Sequence, residues 1–225
     1  MKFLKYILEK INFQSKQKKE LPLHFKYILG ITSLWLLYPF IYGIMDIFKN
    51  RNINILYIII TLLIGVCCVV STLLGVNKLN SIVHLIDVKC AEILFILLCI
   101  YYRFYINNNL NILSFVFPFL VVLFFGLATY FNTIYVYELN IIFHLLFRFI
   151  GFWWCCFIFI KNINYEIFFT LSIAYFIYII IELDCIRKHP NLKKKYKLYY
   201  GYGCIKILVF ILLCLLFNLK YNYIK

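Results

Sequence analysis

Charge is what this chain has least of. Of its 225 residues, 14% are charged and nine are Asp or Glu, whereas a soluble domain carries roughly a quarter charged residues. Glycine and proline are also scarce, with eight and four copies, which excludes collagen-like repeats and Pro/Gly-rich disorder. No C-x-x-C, H-E-x-x-H, P-loop, G-x-G-x-x-G or G-x-S-x-G occurs, so the common zinc, nucleotide and nucleophile-elbow signatures are missing. No internal repeat suggests a transporter built from inverted halves. What remains is apolar mass: 65% of the chain is hydrophobic and 21% aromatic. Such a chain belongs in a membrane.

A spanning helix needs roughly 20 apolar residues to cross about 30 Å of hydrocarbon. The sequence divides into about seven such stretches: Tyr27 to Phe48, Ile53 to Gly75, Val83 to Tyr102, Ile112 to Tyr135, Tyr137 to Ile160, Glu166 to Leu183 and Ile205 to Leu219. The expected fold is an all-α polytopic membrane bundle, with a basic segment at 1–26, a seven-helix domain at 27–219 and a short tail at 220–225. Pro118 and Gly126 leave the fourth span either one kinked helix or a broken one, and Pro39 with Gly43 is expected to bend the first.

Lys and Arg concentrate in two places. Lys2, Lys5, Lys10, Lys16, Lys18, Lys19 and Lys26 precede the first span, and Arg187, Lys188, Lys193, Lys194, Lys195 and Lys197 lie between the last two. The positive-inside bias places both clusters on the cytoplasmic side, which six intervening crossings allow. The amino terminus is therefore expected inside and the carboxyl terminus outside. The net charge of +14 is explained by these flanks and predicts attraction to anionic lipid at the inner face rather than to nucleic acid. Leu4, Ile7, Leu8 and Ile11 recur at helical spacing among lysines, the pattern of an amphipathic interfacial helix. A cleaved signal peptide is not expected, because charges interrupt the early apolar run. The nine cysteines lie mostly within spans at spacings that suit packing. Cys185 and Cys204, beside the inner basic cluster, are candidates for palmitoylation.

An ionisable residue inside a span costs about 2.5–3.5 kcal/mol on insertion scales, so each one marks a bundle interior, a partner or a site. Ser71 closes the second span, His84, Asp87, Lys89 and Glu92 open the third, and Asn140, His144 and Arg148 descend the fifth. At 1.5 Å per residue, Ser71 and Asp87 fall about 6 Å inside the inner boundary, Asn140 about 5 Å and His144 about 10 Å. Glu92 and Arg148 fall deeper, at about 13 and 16 Å, and are expected to form an ion pair. Helical phase puts Asn140, His144, Arg148 and Gly151 within about 80° of one another, a stripe that should face protein. Glu92 lies about 140° from Asp87, which argues against a paired-carboxylate mechanism.

Three readings follow. The polar cluster can hold the bundle together. The Asn140, His144 and Arg148 stripe can bind or transport an anionic small molecule or lipid headgroup. Alternatively His84, Asp87 and His144 can bind a metal that activates water, with Ser71 stabilising the reacting oxygen, in a hydrolase of a lipid amide or ester. Ser71-Thr72-Leu73-Leu74, Asp87 and Asn140-Ile141-Ile142-Phe143-His144 resemble the seven-helix superfamily of alkaline ceramidases, adiponectin-type receptors and hemolysin III-like proteins. That resemblance implies an intramembrane zinc held by histidines beside a serine and an aspartate. Gly75 and Asn140 stand where that superfamily has two of its histidines, so His84 would have to supply a ligand.

Overall fold

The protein is described here by a computed structural model covering residues 23–50, 54–75, 82–106, 113–133, 137–159, 165–188 and 196–224. The amphipathic segment expected before Lys26 falls largely outside these residues, as do most of the basic loop between the last two spans and the side chain of Cys185. Among the described residues the chain is helical throughout, with no strand.

Helix α1 (Leu23–Ser33) passes through a tight 3-10 turn, Leu34–Leu36, into α2 (Leu37–Lys49). The turn has a local cause. Pro39 lacks the N–H that would reach back to the Trp35 carbonyl, and the Leu37 N–H bonds the Leu34 carbonyl instead. Just before it, Thr32 and Ser33 bond back to the Ile28 and Leu29 carbonyls at 2.8 and 2.9 Å, a habit that bends helices. Pro39 and Gly43 themselves lie within the regular helix α2, and the departure from α-helical geometry is this 3-10 turn just before them. Together α1 and α2 supply a 24-residue apolar stretch, Lys26–Lys49.

Asn54 caps α3 (Ile55–Leu74) by accepting the Leu56 N–H at 2.8 Å. Helix α4 (Ile82–Tyr101) runs into a wide π turn, Tyr102–Ile106. Helix α5 (Leu113–Thr133) is one continuous helix containing Pro118. The proline falls in its second turn, where few backbone bonds are forfeited. Helices α6 (Tyr137–Phe159), α7 (Tyr165–Lys188) and α8 (Tyr196–Ile224) complete the chain. Helix α8 begins nine residues before the expected Ile205 and runs on through the expected tail.

Among the described residues, four helical stretches are long and apolar enough to cross a membrane: Lys26–Lys49, Ile55–Leu74, Phe115–Thr133 and Leu139–Phe159. Two shorter apolar stretches, Thr170–Glu182 and Tyr200–Leu216, lie in α7 and α8. Helix α4 has the length, but Asp87, Lys89 and Glu92 charge its first half.

The central rod is α1–α2, which touches α3, α6, α7 and α8; α3 pairs with α4, and α5 with α6. Around the rod, Tyr27, Ile31, Trp35 and Tyr38 pack with Phe152 and Cys156 of α6, Tyr175 of α7 and Ile211 of α8. A second core joins Ile60 and Ile64 of α3, Leu98 of α4, Val121 of α5 and Trp154 and Ile158 of α6. Cys67, Cys68, Cys155 and Cys156 are buried free thiols in these cores, in keeping with a packing role.

Candidate functional site

Polar side chains of six helices meet near one end of the bundle, where α1, α4 and α8 begin and α3 and α7 finish. The Ser71 hydroxyl, in the last turn of α3, donates to Oδ1 of Asp87, two turns into α4. The link ties the two arms of a hairpin. From α6, Arg148 Nη1 donates to the Leu29 carbonyl and the Ser33 hydroxyl of α1, and reaches the Thr32 hydroxyl at 3.4 Å. Arg148 is half-buried, and among the described residues no carboxylate lies within ion-pairing distance of it. Ser71 and Asp87 thus link α3 to α4, while Arg148 ties α6 to α1.

A second polar group adjoins it. Tyr27 of α1 donates to Glu182 Oε2 at 2.9 Å, and Lys206 of α8 approaches Glu182 Oε1 at 3.4 Å. Glu182 is only 5% exposed, so these partners offset a costly buried charge. Tyr200 of α8 donates to the Thr72 carbonyl at the end of α3, and its ring meets that of Tyr27 edge-on at 5.8 Å. The two groups are therefore continuous through tyrosine.

This convergence depends on close backbone approach. A Cβ at Gly30 would come within 2.9 Å of the Gly75 Cα and collide with the Tyr200 ring. Without side chains at residues 30 and 75, α1 and the end of α3 come close enough for the Tyr200 hydroxyl to reach a main-chain carbonyl.

The expected residues divide. Ser71 and Asp87 come together, and Arg148 bonds α1 instead. Glu92 does not pair with Arg148: it bonds Lys89 at 2.6 Å on the same helix, facing away from the bundle. The correction has a simple origin. Equal depth is not equal azimuth, and a partner three residues away on one helix costs little entropy to engage. The stripe on α6 is also split. Asn140 donates to the Ala128 carbonyl at 2.6 Å, pinning α5 to α6, whereas Arg148 serves α1. The His144 ring lies against Phe147, centroids 5.7 Å apart, and a Cβ added at Gly151 would meet open space. An arc of about 80° is wide enough to address two neighbouring helices.

The zinc expectation rested on His84, Asp87 and His144. The side chain of His84 lies outside the described residues. Among the described residues, no three His, Cys, Asp or Glu side chains converge as a metal site. Asp87 accepts a hydrogen bond from Ser71.

Glu182, Tyr27 and Tyr200 were not singled out from the sequence. Glu182 carried a usable signal, a carboxylate closing the run Ile177 to Ile181. The tyrosines carried none, being two of 20. In comparisons with known proteins, no family model, no curated protein and no solved structure matches this chain.

Proposed function

We propose that the chain is a polytopic integral membrane protein of about seven spans, amino terminus inside, whose polar residues form a structural belt under the inner leaflet. The observation that carries this reading is the commitment of Arg148. Its Nη1 donates to the main chain and hydroxyls of the first helix. Around it, Ser71 answers Asp87, Tyr27 answers Glu182 and Asn140 answers a main-chain carbonyl. In hydrocarbon such bonds are worth about 0.6–2 kcal/mol each, enough in sum to fix which helices pack together. The belt adjoins Lys26 of α1 and Lys197 of α8, consistent with an inner face that attracts anionic lipid.

The reading separates from anion binding in one experiment. The purified full chain is unfolded thermally in phosphatidylcholine bicelles, with and without inorganic phosphate or phosphatidylglycerol. A structural belt predicts that Arg148→Gln lowers the midpoint equally in all three media. A stabilisation by phosphate or by the anionic lipid that disappears in Arg148→Gln would replace the belt with a binding site.

A further inference from the structure

The outward face of α4 carries a feature that acyl chains accommodate poorly. Leu85, Ile93, Ile96 and Ile100 are between 40% and 61% exposed there, as an oil-facing surface should be. Among them stand Lys89 and Glu92, bonded at 2.6 Å with side chains 60% and 50% exposed. At 100° per residue all six fall within an arc of about 100°, and apolar residues flank the charges on both sides along the axis. The pair lies about 10 to 15 Å from the start of α4, too far along to count as the polar rim of a span. Charged side chains facing hydrocarbon cost about 2.5–3.5 kcal/mol each on insertion scales. The local bond lowers that cost but leaves half of each side chain uncovered.

We propose that this face of α4 is a self-association surface, and that its occupant is α4 of a second copy of the chain. The proposal rests on the membrane reading above, and charge order selects the partner. The face has no net charge and presents a cation one turn before an anion. A two-fold axis along the membrane normal places residue 89 of one copy opposite residue 92 of the other, and the reverse. The axial offset of three residues is about 4.5 Å, within reach of lysine and glutamate side chains. Each local ion pair then becomes half of a four-charge ring, shielded from lipid by Leu85, Ile93, Ile96 and Ile100. Asp87, on the opposite side of α4, stays with Ser71 and takes no part.

The test uses the full chain in phosphatidylcholine vesicles, once alkaline carbonate has shown it to be retained in the bilayer. Release by carbonate would overturn both the membrane reading and this one. Energy transfer between donor- and acceptor-labelled copies is followed as lipid dilutes the protein. Wild type should associate, and Lys89→Glu alone or Glu92→Lys alone should each weaken association at least about tenfold, because like charges then face one another. Mixing Lys89→Glu with Glu92→Lys should restore it, as should the double reversal Lys89→Glu/Glu92→Lys paired with itself. Restoration by mixing cannot arise from misfolding of either variant. A retained protein that stays monomeric, or one whose association ignores these charges, overturns the proposal while leaving the membrane reading intact.

Discussion

Replacing Arg148 with leucine removes two charge-assisted donations to α1, to the Leu29 carbonyl and the Ser33 hydroxyl, and deprives Asp87 of its opposing charge. Hydrogen bonds from charged groups contribute about 1.5–3 kcal/mol each. The Leu29 carbonyl and Ser33 hydroxyl keep their bond to each other at 2.9 Å, so part of that loss is recovered locally. Breaking a buried charge arrangement by removing one partner costs about 3–5 kcal/mol, and Arg148→Leu is expected to fall in that range. The share belonging to Asp87 is smaller, because the charges are not in direct contact. At an effective dielectric near 20, unit charges more than about 4 Å apart attract by less than about 4 kcal/mol, and a coupling of about 1–2 kcal/mol is expected. Asp87→Asn should therefore rescue Arg148→Leu by that amount in a double-mutant cycle, whereas Glu92→Gln should rescue nothing. Reversible unfolding in mixed micelles, titrated with a denaturing detergent and followed by tryptophan fluorescence, reads these differences. A loss below about 1 kcal/mol for Arg148→Leu, or rescue by Glu92→Gln instead of Asp87→Asn, would refute the reasoning.

Two further outcomes follow from the same contacts. Gly30→Ala should destabilise the fold by about 1–3 kcal/mol, as overpacking does, because its Cβ meets the Gly75 Cα at 2.9 Å; Gly126→Ala, with open space around it, should be neutral in the same unfolding assay. Tyr27→Phe should cost about 1–3 kcal/mol by taking the 2.9 Å donor from buried Glu182, and Glu182→Gln, which still accepts that bond, should cost less than Glu182→Leu.

What the sequence revealed and what it withheld divide along physical lines. Azimuth on a single helix was readable: Asp87 faces inward to Ser71 and Glu92 outward to Lys89, as their angular separation requires. The Ser71–Asp87 contact was readable as equal depth on consecutive helices. The partner of Arg148 was not, because it is a main-chain carbonyl, and every residue has one. Nor was the start of α8, since Tyr196 to Cys204 contains two glycines and a lysine and has Leu198 as its one aliphatic residue. Its early turns gain their place through Tyr200 and Gly203 packed against Tyr27 and Ile31, contacts more than 160 residues apart in the chain. Of the seven expected spans, four are matched by helices long and apolar enough to cross. The third expected span fails that description through its own charges rather than its length.

The central claim is that the helices cross a bilayer with the polar belt at the inner end. It is tested most directly by placing single protease-cleavable tags after residue 2 and after residue 193 of the full chain, and a third after residue 51, in sealed inside-out and right-side-out vesicles. The account predicts that the tags at 2 and 193 are cut from the cytoplasmic side and the tag at 51 from the opposite side. Cleavage of the tags at 2 and 193 from opposite sides would contradict it.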